Sequence, residues 1–285
     1  LSQFVLRQKF GLLKNKHALG KEKNCRKNAL KLFGQFTLFP ENSWIDDSVN
    51  FKNILVVVDP ANGSLTGIAK EIFLQAGFGR VIEVNGNLNG DVNVFSGVAD
   101  LEGRDRITFD QLKKTSGFFR RHKVVLKLFE LGRKNKVSLA KGKKRVVGVI
   151  FDADADRFFM LEYDPFKDLL WVLSGDETAI LQAEYLVTKF PKKYKGSLYI
   201  NTVESDLNAA VSAKKMGLKS ELTAVGDKWI LLKIILKQLE QESKCLDLAR
   251  SKRQAFLRES RKLKKTGITS IASLQELRKI IGEVN

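Results

Sequence analysis

Apolar positions along this chain follow two rhythms, short continuous runs and helical spacing. Residues 54–58 form an uninterrupted apolar run that ends at Asp59-Pro60, the pattern of a buried parallel strand. Asn62-Gly63 supplies a turn, residues 65–76 read as an amphipathic helix stopped by Gly77, and residues 80–84 read as a second strand. A strand-turn-helix-strand order needs a crossover, so it predicts parallel pairing with right-handed connections. A Gly/Asn-rich loop follows (residues 85–97). Residues 107–114 and 118–131 then have helical spacing, and residues 132–145, "GRKNKVSLAKGKKR", read as a basic, mobile loop. Residues 146–151 are the third strong strand, joined by a short hairpin through "DPFKD" to a strand at 169–173.

Beyond it, "SGDETAILQAEYLVTKF" opens with Ser174 and has Glu177 three residues on, a capping pattern ahead of a helix. Strands are expected at 196–203 and 219–225, with a capped helix ending at Gly217 between them. Residues 1–35 look helical, 39–47 are a loop, 230–261 form one long helix or two, and 270–281 form a short amphipathic helix. The reading is an α/β protein of two βα-type halves, residues 51–165 and 168–235, with basic helical segments at residues 1–50 and 236–285.

Composition narrows the function classes. The 285 residues suit one large or two ordinary domains, and no apolar run approaches a membrane span. No membrane partner is expected. Residues 1–20 lack the apolar core and cleavage site of a signal peptide, and Cys25 and Cys245 are far apart with no metal-ligand spacing. Both features point to a reducing, cytoplasmic setting. The absence of an initiating Met suggests a start inside a longer chain.

The formal charge of +18 is concentrated in residues 7–31, 113–145 and the tail after Lys244. Residues 113–145 hold thirteen Lys/Arg against Glu130 alone, enough to neutralise several phosphates of a nucleic acid. Phe118, Phe119 and Phe129 nevertheless have the spacing of a buried helix face, and no nucleic-acid-binding motif is visible, so nucleic acid is the disfavoured partner. A solvated lysine face is the plainer reading.

The stretch "VVGVIFDADADRFF" places Asp152, Asp154 and Asp156 at alternate positions directly after a strand. Like charges at that spacing repel, and a cation is the simplest offset. An EF-hand loop fits poorly: its sixth position is Arg157 instead of Gly, and its twelfth is Tyr163 instead of Glu. A haloacid-dehalogenase-like phosphatase would use Asp152 and Asp154, but Asp156 stands where Thr or Val is usual. A solvated hairpin loop is the bland alternative. Small alanines between the carboxylates let all three turn inward, an arrangement that suits the oxygen preference of Mg²⁺.

"GVIFDADADR" also resembles the metal loop of the α-D-phosphohexomutases, Asp-Gly-Asp-x-Asp-Arg. "VVVDPANGSLTGIAKEIFLQAGF" resembles the first strand and helix of that family's second domain. "NVFSG" resembles the following loop, particularly in the phosphoglucosamine mutase branch. "LSGDETAILQAEYL", "NTVESDLNAAVSAKKMG" and "TAVGDKWIL" resemble three successive third-domain segments. The ordered matches span residues 54 to about 232.

The resemblance implies two α/β/α domains with mixed, mainly parallel sheets: residues 51–165 as a second domain with the metal loop, and 168–235 as part of a third. It implies Mg²⁺-dependent phosphoryl transfer between C1 and C6 oxygens of a hexose phosphate through a hexose bisphosphate and a phosphoserine. Asp152, Asp154 and Asp156 would hold Mg²⁺, Arg157 would serve catalysis at the phosphoserine or a phosphate oxygen, and Lys228 would contact phosphate. Glu204 and Ser205 would face an anion at a helix start, with a helix cap by Ser205 as the plainer role. Asp176 is expected to be structural, and Arg157 has a surface salt bridge as its plainer role.

The departures from the family pattern are specific. The phosphoserine loop, Ser/Thr-x-Ser-x-Asn-Pro, and the sugar-reading Gly-Glu-x-Ser-Gly-His are not found, and the only histidines are His17 and His122. Ala153 stands where Gly is usual, a restricted position at that turn. The expectation is therefore a piece of a longer mutase, with the missing domains in a longer parent chain, or an inactive homologue.

Overall fold

A computed structural model describes residues 25–39, 49–88, 90–113 and 117–245, and beyond these residues 254, 255, 257, 258 and 261. The expectations for residues 1–24, 40–48 and 270–281 lie outside the described residues. Among the described residues no helix is long and apolar enough to cross a membrane.

The chain is a mixed α/β protein. Strands β1 (Ile54–Asp59), β2 (Arg80–Glu83), β3 (Arg106–Thr108), β4 (Arg145–Phe151), β5 (Phe158–Asp164) and β6 (Leu169–Leu173) form one sheet in the order β2-β1-β4-β5-β6-β3. β1 pairs in parallel with both β2 and β4, as a buried apolar run with crossovers on either side requires. A second sheet holds the parallel pair β7 (Leu198–Thr202) and β8 (Lys219–Thr223). The chain divides into two compact units. One comprises Leu1–Asp100, Ile107–Asp156 and Glu162–Leu170; the other comprises Leu101–Arg106, Arg157–Leu161 and Trp171–Asn285.

Helix α1 (Arg26–Thr37) precedes the sheet, and α2 (Ile68–Gln75) makes the β1–β2 crossover. The crossover helix begins later than its spacing predicts because Gly67 caps it in the left-handed region (φ 73°), with its N–H donated to the Glu83 carboxylate. The segment predicted as helix from residue 107 instead starts with β3. Gln111 reaches back to the Thr108 N–H at 2.8 Å, so α3 (Phe109–Lys113) starts only after Thr108. The next predicted helix begins with a 3-10 turn, Phe118–Arg120, and breaks at the extended residue His122 before α4 (Lys123–Lys134).

The basic segment read as a mobile loop is mostly helical. α4 runs to Lys134 and α5 covers Lys136–Ala140. Buried Leu131 and Leu139 anchor the two helices, and the Asn135 side chain donates to the Leu131 carbonyl between them. α4 buries Val124, Val125, Leu128, Phe129, Leu131 and Gly132, and Gly132 lies against the Tyr163 ring. Among the described residues of 113–145, Lys113 pairs with Asp110, Lys127 with Glu130, Arg133 with Asp168 and Arg145 with Glu162.

In the other unit, α6 (Gly175–Lys189) opens with the complete Ser174–Glu177 capping box. It is followed by α7 (Pro191–Tyr194), by α8 (Leu207–Lys215) between β7 and β8, and by α9 (Asp227–Cys245).

Candidate metal centre

Strand β4 is buried over most of its length and ends at Phe151, so it delivers the following loop at a fixed place. Asp152 is buried, whereas Asp154 and Asp156 are exposed, and one carboxylate oxygen of each lies within 4.8 Å of the others. In an octahedral site with bonds of about 2.1 Å, neighbouring ligand oxygens are roughly 3 Å apart and opposite ones roughly 4.2 Å. Small side-chain rotations close that gap. The donor set is all carboxylate, with no sulfur or imidazole, so it suits a hard cation such as Mg²⁺.

The loop is braced from below. Ser64 N–H donates to the Ala153 carbonyl at 2.7 Å, and Gly63 sits so close to the Ala153 main chain that a Cβ there would overlap it. The loop closes with Ala155 N–H on the Asp152 carbonyl at 3.2 Å. The restricted position is not Ala153. It is Ala155, with φ 68°, in the left-handed region. A side chain there strains the backbone, so Ala155→Gly is expected to stabilise the protein by roughly 0.5–1 kcal/mol, read as a higher urea midpoint.

Arg157 follows the loop directly, and its guanidinium pairs with Glu102, both half-exposed. The structure thus places it in the surface ion pair that was its plainer role. Lys228 lies on the first turn of α9, exposed, with Nζ 5.2 Å from the Trp229 ring centroid. A cation at a helix N-terminus opposes the helix dipole, so this position does not serve the helix.

At the start of α8 the cap is Asp206, not Ser205. The Asp206 side chain accepts from Asn208 N–H at 2.8 Å, and Asp206 N–H is held by Asp176 at 2.8 Å. The Ser205 hydroxyl turns back to Thr202. Two carboxylates therefore sit where an anion would bind, and Glu204 is an exposed third. The aspartate beside Ser205 has the stronger acceptor and takes the cap.

Sequence reasoning missed a buried polar cluster under the loop. Asp59, at the end of β1, is fully buried and accepts from Ala61 N–H, Asn85 Nδ2 and Gly97 N–H. Burial raises its pKa to about 6, against the opposing pull of those hydrogen bonds and of Lys123. His122, also fully buried, is pushed down to about 4 by burial. Its Nε2 lies 3.9 Å from Asp100, but at that pKa the ring is neutral at pH 7, so the contact is not an ion pair. The only sequence signal was an acid closing an apolar run.

These two groups titrate against each other. Asp59, with its folded pKa above the unfolded one, contributes stability that is full below about 3.8 and lost as pH rises through about 6. His122, with its folded pKa below the unfolded one, contributes stability that is full above about 6.5 and lost as pH falls toward about 4. Between pH 6.5 and 4 the contributions largely cancel. Asp59→Asn removes one side of the balance. Urea unfolding of that variant is expected to show stability relative to the wild type falling by a further amount on the order of 3 kcal/mol between pH 7 and 4.

Residues 174–240 match a family model described as phosphoglucomutase/phosphomannomutase, alpha/beta/alpha domain III. A phosphoglucosamine mutase of Caldicellulosiruptor saccharolyticus is 26% identical over 190 residues, covering 66% of this chain and 33% of that protein. A phosphoglucosamine mutase of Clostridioides difficile is 26% identical over 185 residues, covering 65% and 32%. The chain thus spans about a third of the length of the curated relatives it matches. A solved N-acetylglucosamine-phosphate mutase in its substrate complex aligns at a TM-score of 0.44 and 19% identity, over 73% of this chain and 34% of that one. An Aspergillus fumigatus N-acetylphosphoglucosamine mutase, solved with glucose 1,6-bisphosphate, aligns at 0.43 and 18%, over 67% and 31%. Residues 174–240 thus match the family's domain III model, and about two thirds of the chain is similar in sequence to phosphoglucosamine mutases.

Proposed function

We propose that this chain carries the metal-holding and phosphate-facing middle of a phosphohexomutase, an isomerase acting on a hexose phosphate by way of a hexose bisphosphate. The observation that carries this reading is the trio Asp152, Asp154 and Asp156, converging within 4.8 Å in a chain whose middle is related to phosphoglucosamine mutases. Mg²⁺, when bound, would neutralise charge on the phosphoryl group in transfer. Asp152 is the buried, fixed ligand, and exposed Asp154 and Asp156 complete the set from the solvent side.

Arg157 offers a guanidinium fork. An exposed ion pair is worth only about 0–1 kcal/mol, so a phosphate oxygen displaces Glu102 at little cost. Lys228 supplies a point charge to a second phosphate. Glu204 and Ser205, beside two carboxylates, shape the loop in our reading and leave the phosphate to Lys228. The phosphorylated serine and the sugar-reading loop would come from further domains or a longer parent chain. We place the protein in the cytoplasm, on its two distant cysteines.

The test is a thermal-shift titration with glucosamine 6-phosphate and glucose 6-phosphate, with and without Mg²⁺. A saturable rise in Tm that needs both sugar phosphate and metal is expected. A rise that does not need the metal, or none at millimolar ligand, would overturn the reading.

A further inference from the structure

The aspartate loop is not self-supporting, and the residues that support it converge on one buried carboxylate. Asp59 Oδ1 accepts from Ala61 N–H at 2.9 Å; Oδ2 accepts from Asn85 Nδ2 at 2.9 Å and from Gly97 N–H at 3.4 Å. The three donors lie on two loops: Ala61 on the turn after β1, and Asn85 and Gly97 at the two ends of the Asn-rich loop after β2. Further bonds lace these loops together. Asn62 N–H donates to the Asn85 carbonyl at 2.7 Å, Asn93 N–H to the Ala61 carbonyl at 3.1 Å, and Asn62 Nδ2 to the Asp91 carbonyl at 3.0 Å.

The backbone here is held in an unfavourable state. Ala61, Asn62, Asn85, Asn93 and Phe95 all have φ between 48° and 57°, the left-handed region that side chains disfavour. Asn tolerates that region, but Ala61 and Phe95 persist there only where their surroundings over-determine them. An ionised carboxylate accepts and never donates, so it gathers N–H groups from separate loops without opposing any of them.

Two main-chain stops run from this cluster to the aspartate loop. Gly63, two residues after the Asp59-bound Ala61, lies against Ala153, and its neighbour Ser64 bonds the Ala153 carbonyl. Gly97, bound directly by Asp59, lies against the carbonyl of Phe151, where a Cβ would stand 3.3 Å away. The residues flanking Asp152 on both sides thus rest on backbone that Asp59 holds.

We infer that Asp59 is a positioning residue for the aspartate loop, fixing the place at which Asp152, Asp154 and Asp156 meet a divalent cation. The inference rests on the reading of that loop as a cation site. Asp59 touches no ligand and acts through the two stops.

The experiment measures Mn²⁺ affinity, by the electron-spin signal of free Mn²⁺, on the whole chain at neutral pH and well below the melting temperature of each variant. Asp59→Asn turns an N–H₂ toward the donors of Asn85 and Gly97 and is expected to weaken Mn²⁺ binding at least tenfold at an unchanged folded fraction. Asn85→Ala removes one bond without adding a clash and is expected to weaken it several-fold, which keeps the test open if Asp59→Asn does not fold. The exchange Asp59→Asn with Asn85→Asp restores a donor–acceptor pair and is expected to recover most of the loss, which general destabilisation would not do. Wild-type binding with folded Asp59→Asn or Asn85→Ala inside twofold of it overturns the positioning role alone. No saturable binding to the wild type overturns the cation site itself, and this inference with it.

Discussion

Asp154→Asn is expected to lower Mg²⁺ affinity by at least about a hundredfold and to leave stability within about 0.5 kcal/mol of the wild type. Asp154 is exposed, and no hydrogen bond described for the loop uses its side chain; the loop is held by the Ser64–Ala153 and Ala155–Asp152 main-chain bonds instead. Asn keeps the size and one oxygen but removes a charge from a set whose attraction for a hard cation is mainly electrostatic. In the metal-free protein the same change relieves repulsion among three carboxylates within 4.8 Å, so the variant does not lose stability through the site. Isothermal titration with Mg²⁺ beside a urea melt separates the two effects. Asp152→Asn does not make the same separation, because Asp152 is buried.

Gly63→Ala is the largest expected change in stability. Its Cβ overlaps the main chain of Ala153, and neither backbone has a rotamer with which to yield. The cost is expected at the top of the 1–3 kcal/mol range for overpacking. The displaced Ala153 carries Asp152 and Asp154 with it, so cation affinity falls as well. Gly67→Ala is the control: φ is 73°, but nothing lies within 4 Å of the added Cβ, so only the left-handed backbone cost of about 1 kcal/mol applies. Urea midpoints that rank Gly67→Ala below Gly63→Ala would show that the Gly63–Ala153 approach is not close in solution.

Local chemistry was legible in the sequence where one segment contains its own reason. The apolar run at residues 54–58 and the Ser174–Glu177 capping box are complete within a few residues, and the alternating aspartates announce their own repulsion. The basic segment 132–145 misled because lysine density hid Leu139, whose burial anchors a helix there. β3 was absorbed into a helix because Thr108 and Gln111, which start α3, look like ordinary helix residues until the Gln111 side chain is seen to reach back. Arg157 has a partner, Glu102, 55 residues away, which spacing along the chain does not reveal. The Asp59 cluster was invisible for the same reason: its donors Asn85 and Gly97 are 26 and 38 residues from it.

The most direct test of the cation site is an Mn²⁺ titration of the wild-type chain and of Asp154→Asn, with Mg²⁺ as competitor. The expected result is saturable binding of one ion per wild-type chain, displaced by Mg²⁺ and lost in folded Asp154→Asn. Wild-type binding that does not saturate by a concentration on the order of 1 mM, or equal binding by the variant, would contradict a metal centre at Asp152, Asp154 and Asp156.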